Sequence, residues 1–104
     1  MTDGLDEAFR STTRLRIASF LSGCEEAEFR AVQEYCELTA PTLSKHAAAL
    51  EATGYVEIRK GHVGKTPRTW LTLTEQGRSA LAGHLAELQC IAATAARHGN
   101  SHRA

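Results

Sequence analysis

The chain has 104 residues, 42% of them apolar and 23% charged, with 12 basic residues balancing 12 acidic ones. This is the composition of one ordinary soluble domain with a modest core, too short for two. No run of about 18 apolar residues spans a membrane, and the start, Met-Thr-Asp-Gly-Leu-Asp-Glu, lacks the regions of a secretory signal, so a cytoplasmic location is expected.

In chain order, residues 5–21 read as a first helix. Its apolar face is Ile17, Phe20 and Leu21, joined by Phe9 and Thr13, and Ser22-Gly23 stops it. A second helix is predicted over roughly 26–36, with Phe29, Val32 and Cys36 inward and its glutamates outward. Glu37-Leu38-Thr39 then leads tightly into the most informative stretch, residues 38–54. Thr39 is a good N-cap, Pro41 sits in the first turn where its missing N–H costs nothing, and Gly54 can take the positive φ that ends a helix. Leu43, Ala47 and Leu50 form the apolar back of this helix, predicted over 39–53, while Thr42, Ser44 and Lys45 point elsewhere. Two helices joined so closely, the second with a small polar front, make the helix-turn-helix pattern. Such a front can enter a major groove because nothing bulky blocks its approach to bases or phosphates.

After Gly54 the period changes from helical to alternating. Residues 55–60 read as a strand, with Val56 and Ile58 on one side and Glu57 and Arg59 on the other; 61–67 form a loop with two glycines and a proline; 68–73 form a second strand. A basic-tipped hairpin directly after a helix-turn-helix is a wing, here over 55–73. Thr74 caps a last helix predicted over 75–97, leaving 98–104 as an expected flexible tail. Leu81, Leu85, Leu88, Ala92 and Ala95 are spaced four, three, four and three along that helix, an a/d seam. The helix is longer than so small a core can cover, so a symmetric dimer contact is expected there, helped by Leu5 and Phe9.

Charge is distributed unevenly despite its zero sum. Residues 25–37 hold Glu25, Glu26, Glu28, Glu34 and Glu37 against Arg30, whereas 58–68 hold Arg59, Lys60, His62, Lys65 and Arg68 and no acid. A local basic field matters more than net charge for docking on a polyanion.

Three pieces of sequence resemble the winged helix-turn-helix transcriptional regulators of the MarR/ArsR type, in particular their small subgroup of roughly 100-residue winged-helix DNA-binding proteins. Leu43-Ser44-Lys45-His46 with Leu50-Glu51-Ala52-Thr53-Gly54-Tyr55-Val56 is similar to the recognition helix running into the first wing strand. Residues 59–69 are similar to the wing, and Leu71-Thr72-Leu73-Thr74-Glu75-Gln76-Gly77-Arg78 to the second strand entering the final helix. The likeness covers roughly residues 5–90. It implies a mainly α fold with a two-stranded β-wing, in the order helix-helix-helix-wing-helix, as a single domain over 5–97 dimerising through its terminal helices. It further implies a homodimer that binds palindromic double-stranded operators, usually as a repressor. Thr39, Ala40, Pro41, Thr42, Ser44, Lys45 and His46 would serve the major groove, and Lys60, His62, Lys65 and Arg68 the phosphates or minor groove. Ala47 stands where a leucine is common, predicting thin packing behind the recognition helix.

Other assignments stay open in the sequence. His46 either donates to a phosphate or packs at a helix junction. Trp70 reads as the base of the wing, and Arg14 and Arg16 as solvated. A small-molecule effector would find its natural pocket among Phe9, Phe20, Tyr35 and Leu88. Cys24, Cys36 and Cys90 are widely spaced and read as reduced thiols, and neither His84 with Glu87 nor His98 with His102 makes a metal site, so no metal or cofactor is expected. No Gly-x-Ser-x-Gly, P-loop, dinucleotide fingerprint or histidine-glutamate zinc motif occurs, which argues against an enzyme. The competing reading is a winged helix that binds protein rather than DNA; the basic wing weighs against it.

Overall fold

The structure, a computed structural model, describes residues 4–101. Phe9, Ile17, Leu21, Val32, Leu43, Leu50 and Leu71, each less than 2% exposed, join the elements into one core. Those elements are a 3-10 turn at Glu7–Phe9, α1 at Thr12–Ser22, β1 at Ala27–Glu28, α2 at Phe29–Cys36, α3 at Ala40–Ala52, β2 at Val56–Val63, β3 at Thr66–Leu73 and α4 at Glu75–Ser101. The winged-helix order read from the sequence is thus the order of the fold.

The expected first helix over 5–21 is broken in two. The Asp6 carboxylate accepts from Ala8 N–H to cap the 3-10 turn, and the Ser11 hydroxyl accepts from Arg14 N–H to start α1 afresh. These short side chains offer the backbone local partners that compete with a continuous helix. The second helix also starts later than expected. Ala27 and Glu28 are extended and pair antiparallel with Leu71 and Trp70, so the wing hairpin gains a third strand in the order β1-β3-β2. Two residues are too few to show an alternation, which hides this strand in the sequence.

Glu37 closes the turn between α2 and α3 with left-handed angles, φ 56° and ψ 50°, while Leu38 N–H reaches back to the Gln33 carbonyl. α3 then begins on Thr39, whose hydroxyl accepts from Thr42 N–H. Leu43, Ala47 and Leu50 are buried, and Gly54 beyond the helix has φ +85°.

In the hairpin, Val56, Ile58 and Lys60 lie opposite Leu73, Leu71 and Thr69. This face turns toward α3 at its base and becomes polar toward its tip. Thr74 ties the sheet to α4: its hydroxyl donates to the Gly54 carbonyl at 2.7 Å and accepts from Gly77 N–H at 2.9 Å. Gly77 lies so close to the Tyr55 carbonyl that a Cβ there would stand 2.3 Å from it. α4 runs to Ser101, past Arg97, so residues 98–101 of the expected tail are helical; 102–104 lie outside the described residues. At 27 residues it is about 40 Å long, and the molecule measures 68 × 25 × 21 Å because its distal half projects from the core.

Candidate nucleic-acid interface

α3 and the wing border two clefts. One, of about 470 Å³, lies between Arg30 and Gln33 of α2, Ala40 of α3, and Thr66, Pro67, Arg68 and Thr69 of β3. The other, of about 610 Å³, lies between Ser44, Ala47, Ala48 and Glu51 of α3 and Ile58, Lys60, Thr69 and Leu71 of the hairpin, with Phe29 at its side. Ala47, expected to leave thin packing behind the helix, is 1% exposed within the core, and with Ala48 it contributes only small side chains to the cleft wall.

Thr39, Ala40, Pro41, Thr42, Ser44 and Lys45 are all exposed on α3. The Thr39 hydroxyl donates to the Thr42 hydroxyl at 2.9 Å, so part of the hydrogen-bonding capacity of this front is spent within the cap. Lys60 in the middle of β2, His62 near its end and Lys65 in the turn are exposed, and none of them forms an ion pair among the described residues.

The two wing arginines differ. Arg59 donates through Nε and Nη2 to both carboxylate oxygens of Glu26, at 3.0 and 2.9 Å, while its guanidinium lies 4.0 Å above the Trp70 ring. Trp70 is thereby the half-buried base of the wing. The hydrogen bond from Arg59 holds the Glu26 carboxyl below its ordinary pKa. Arg68 is paired with Glu28. Glu26 precedes the short strand β1 and Glu28 ends it, so the local excess of cations counted along 58–68 is partly neutralised in space. Arg68, expected to reach phosphates or the minor groove, is held in an ion pair with Glu28.

His46 resolves toward the helix junction. Its Nδ1 accepts from Arg14 Nε at 3.2 Å, which joins α1 to α3 and gives Arg14 a partner the sequence did not indicate. Burial first, then the positive charges of Arg14 and Lys45, lower the His46 pKa. In this neutral form with Nδ1 accepting, the proton resides on Nε2. Arg30 and Gln33 are additions to the candidate set. Their only sequence signal was that α2 precedes α3 in a helix-turn-helix, where the first helix crosses the DNA backbone.

Two of the expected dimer residues are corrected by the core. Phe9 is 1% exposed, stacked on Tyr55 at 5.6 Å, and Leu81 is 4% exposed, so both are consumed within the protomer. Leu5 is half-buried. Leu85, Leu88, Ala92 and Ala95 remain exposed on α4, and Ile91, at 47% exposure, extends their face. The expected effector pocket is not assembled from its four residues: Phe9 is in the core, Phe20 stacks on Tyr35 at 4.6 Å, and Leu88 is on the projecting part of α4. Burial raises the Cys36 pKa, and His84 accepts from Asp6 N–H at 2.9 Å inside the fold. Among the described residues, no three histidine, cysteine or acidic groups stand close enough to hold a metal ion, and no helix is long and apolar enough to cross a membrane.

Against known proteins, the family described as winged helix DNA-binding domain matches residues 13–92. An uncharacterized protein of Methanocaldococcus jannaschii is 32% identical over 80 residues, covering 77% of this chain and 87% of its own. The structure of a transcriptional regulator homologue from Pyrococcus horikoshii is similar with a TM-score of 0.73 and 28% identity, over 85% of this chain and 92% of that one. A zinc-responsive MarR family member of Lactococcus lactis shares the fold with a TM-score of 0.60 and 16% identity, over 88% of this chain and 62% of its own.

Proposed function

This chain belongs to the family of winged helix DNA-binding domains, and from that premise we propose that it is a cytoplasmic, homodimeric, sequence-specific regulator of transcription that represses by occupying a palindromic operator. One observation carries this reading. The uncommitted cations Lys45, Lys60 and Lys65, with His62, are exposed on the two elements that flank the clefts, the N-terminal half of α3 and the wing. Lysines so placed supply the salt-dependent phosphate term, and α3 enters the major groove between them.

The dimer follows from α4. Leu85, Leu88 and Ile91 are 40–47% exposed on a helix that leaves the core, and Ala92 and Ala95 continue the face with side chains small enough for close helix contact. A second copy of the same face, related by a two-fold axis, buries it and sets two α3 helices toward successive major grooves. An effector belongs to the same reading: the 610 Å³ cleft behind α3 has the volume of a small-molecule site, with Phe29, Ile58 and Leu71 beside the polar Ser44, Glu51, Lys60 and Thr69.

Titration of labelled duplexes at two salt concentrations tests the function. Selective binding that weakens steeply with salt is the expected result, and charge reversal of Lys60 and Lys65 abolishes it. A second reading, a protein-binding winged helix, is favoured by the neutralisation of Arg59 and Arg68 by Glu26 and Glu28. Under it no duplex binds at either salt, and the reversed lysines leave protein partners unaffected.

A further inference from the structure

Among the exposed residues at the front of α3, Lys45 alone is of a type that reads bases through paired hydrogen bonds. Bidentate recognition of guanine takes arginine or lysine, and that of adenine takes asparagine or glutamine. From Thr39 to Lys45 the exposed residues are Thr39, Ala40, Pro41, Thr42, Ser44 and Lys45. The Thr39 hydroxyl donates to the Thr42 hydroxyl at 2.9 Å and also caps the helix; the remainder of each side chain is a methyl group. Ala40 and Pro41 offer only carbon. On α2 the amide of Gln33 is half-buried and lines the same cleft as Ala40, beside the exposed Arg30, and the wing arginine of that cleft, Arg68, is paired with Glu28.

We infer that this protein recognises its operator in part through the 5-methyl groups of thymine in the major groove, contacted by Ala40, Pro41 and Thr42, beside whatever base or phosphate Lys45 engages. The inference rests on the DNA-binding function proposed above and names the chemical feature that this site selects. A thymine methyl is the one apolar group that a base pair displays in the major groove. A patch of alanine, proline and threonine carbon is complementary to it and gains by excluding water from both sides.

The test uses the whole protein and duplexes enriched by it from a random library. The enriched half-sites are expected to place thymines at two or more fixed positions. Resynthesis with uracil at one such position keeps every hydrogen-bonding group and deletes the methyl, and is expected to weaken binding about fourfold per methyl. Thr42→Ser keeps the hydroxyl that pairs with Thr39 and deletes only carbon. It is expected to abolish the thymine-over-uracil preference at one position while leaving the others and the helix intact.

Tight, selective binding that is indifferent to uracil would overturn the inference while leaving the regulator reading standing. So would a base preference that disappears in Gln33→Ala. Failure to enrich or bind any duplex sinks the parent reading instead.

Discussion

Arg68 on β3 and Glu28 on β1 form an ion pair across the sheet, so the wing's attraction for a polyanion is restrained by an acid from a different part of the chain. Freeing Arg68 should therefore strengthen binding. In Glu28→Gln, DNA affinity at low salt is expected to rise, and the plot of log affinity against log salt to steepen by about 0.9 for each Arg68 that engages a phosphate. Because the pair is half-exposed, stability should change by no more than about 1 kcal/mol. Anisotropy titrations beside urea unfolding check both; an unchanged salt slope would mean that Arg68 does not approach the DNA.

The Tyr55 hydroxyl donates to Asp6 Oδ2, closing the N-terminal segment over the start of β2. That hydrogen bond, followed by burial and the negative charge of Asp6, raises the phenol pKa above 10.0. The folded state thus holds the proton more tightly than the unfolded state. The resulting stability is complete below pH 10.0 and is lost as pH rises through the folded-state value. Tyr55→Phe, which keeps the stack on Phe9, should cost about 1–2 kcal/mol in urea unfolding near neutrality.

His46 has the opposite sign. Its pKa lies below the ordinary 6.5, so between these two values the unfolded chain binds more protons than the folded one. Stability from this site is complete above pH 6.5 and declines as pH falls through the folded-state value, when protonation of Nδ1 ends its acceptance from Arg14. An NMR titration of the His46 ring checks the sign; a midpoint above 6.5 contradicts it.

Glycines in the same helix should respond differently to alanine. At Gly77 a Cβ would meet the Tyr55 carbonyl at 2.3 Å and Leu73 Cδ1 at 2.8 Å, so Gly77→Ala is expected to lose about 3 kcal/mol. At Gly99 nothing lies within 4 Å, and the same change should gain at most about 1 kcal/mol through helix propensity. Thermal unfolding of the two variants makes the comparison.

The exposed face of α4 gives the test of assembly. Leu88→Glu combined with Ile91→Glu places charge on a face that lies outside the protomer core, so each chain should fold normally. Sedimentation equilibrium should report a monomer where the unaltered protein is a dimer, and operator affinity should fall with the loss of paired half-sites. Retained dimerisation would place the interface elsewhere.

Much of the fold was legible because its signals are local. Thr39, Pro41 and Gly54 bracket α3, whose bounds Ala40–Ala52 fall within the predicted span. The change from helical to alternating period at Gly54 marks the start of the hairpin, but the loop expected over 61–67 is only the turn Gly64-Lys65, since β2 runs to Val63 and β3 starts at Thr66. The exposed small-residue front of α3 follows from the spacing of Leu43, Ala47 and Leu50. Caps, turns and periodicity act over a few residues, so a linear sequence carries them. What tertiary structure alone decided are relations between distant residues. Only the sheet register brings β1 beside β3, where Glu26 and Glu28 meet Arg59 and Arg68, 33 and 40 positions away. Packing likewise assigned His46 to Arg14 and drew Phe9 and Leu81 into the core, leaving Leu85, Leu88 and Ile91 outside. A heptad spacing states which residues share a helix face; which stretch of that face the core reaches depends on where the other elements end.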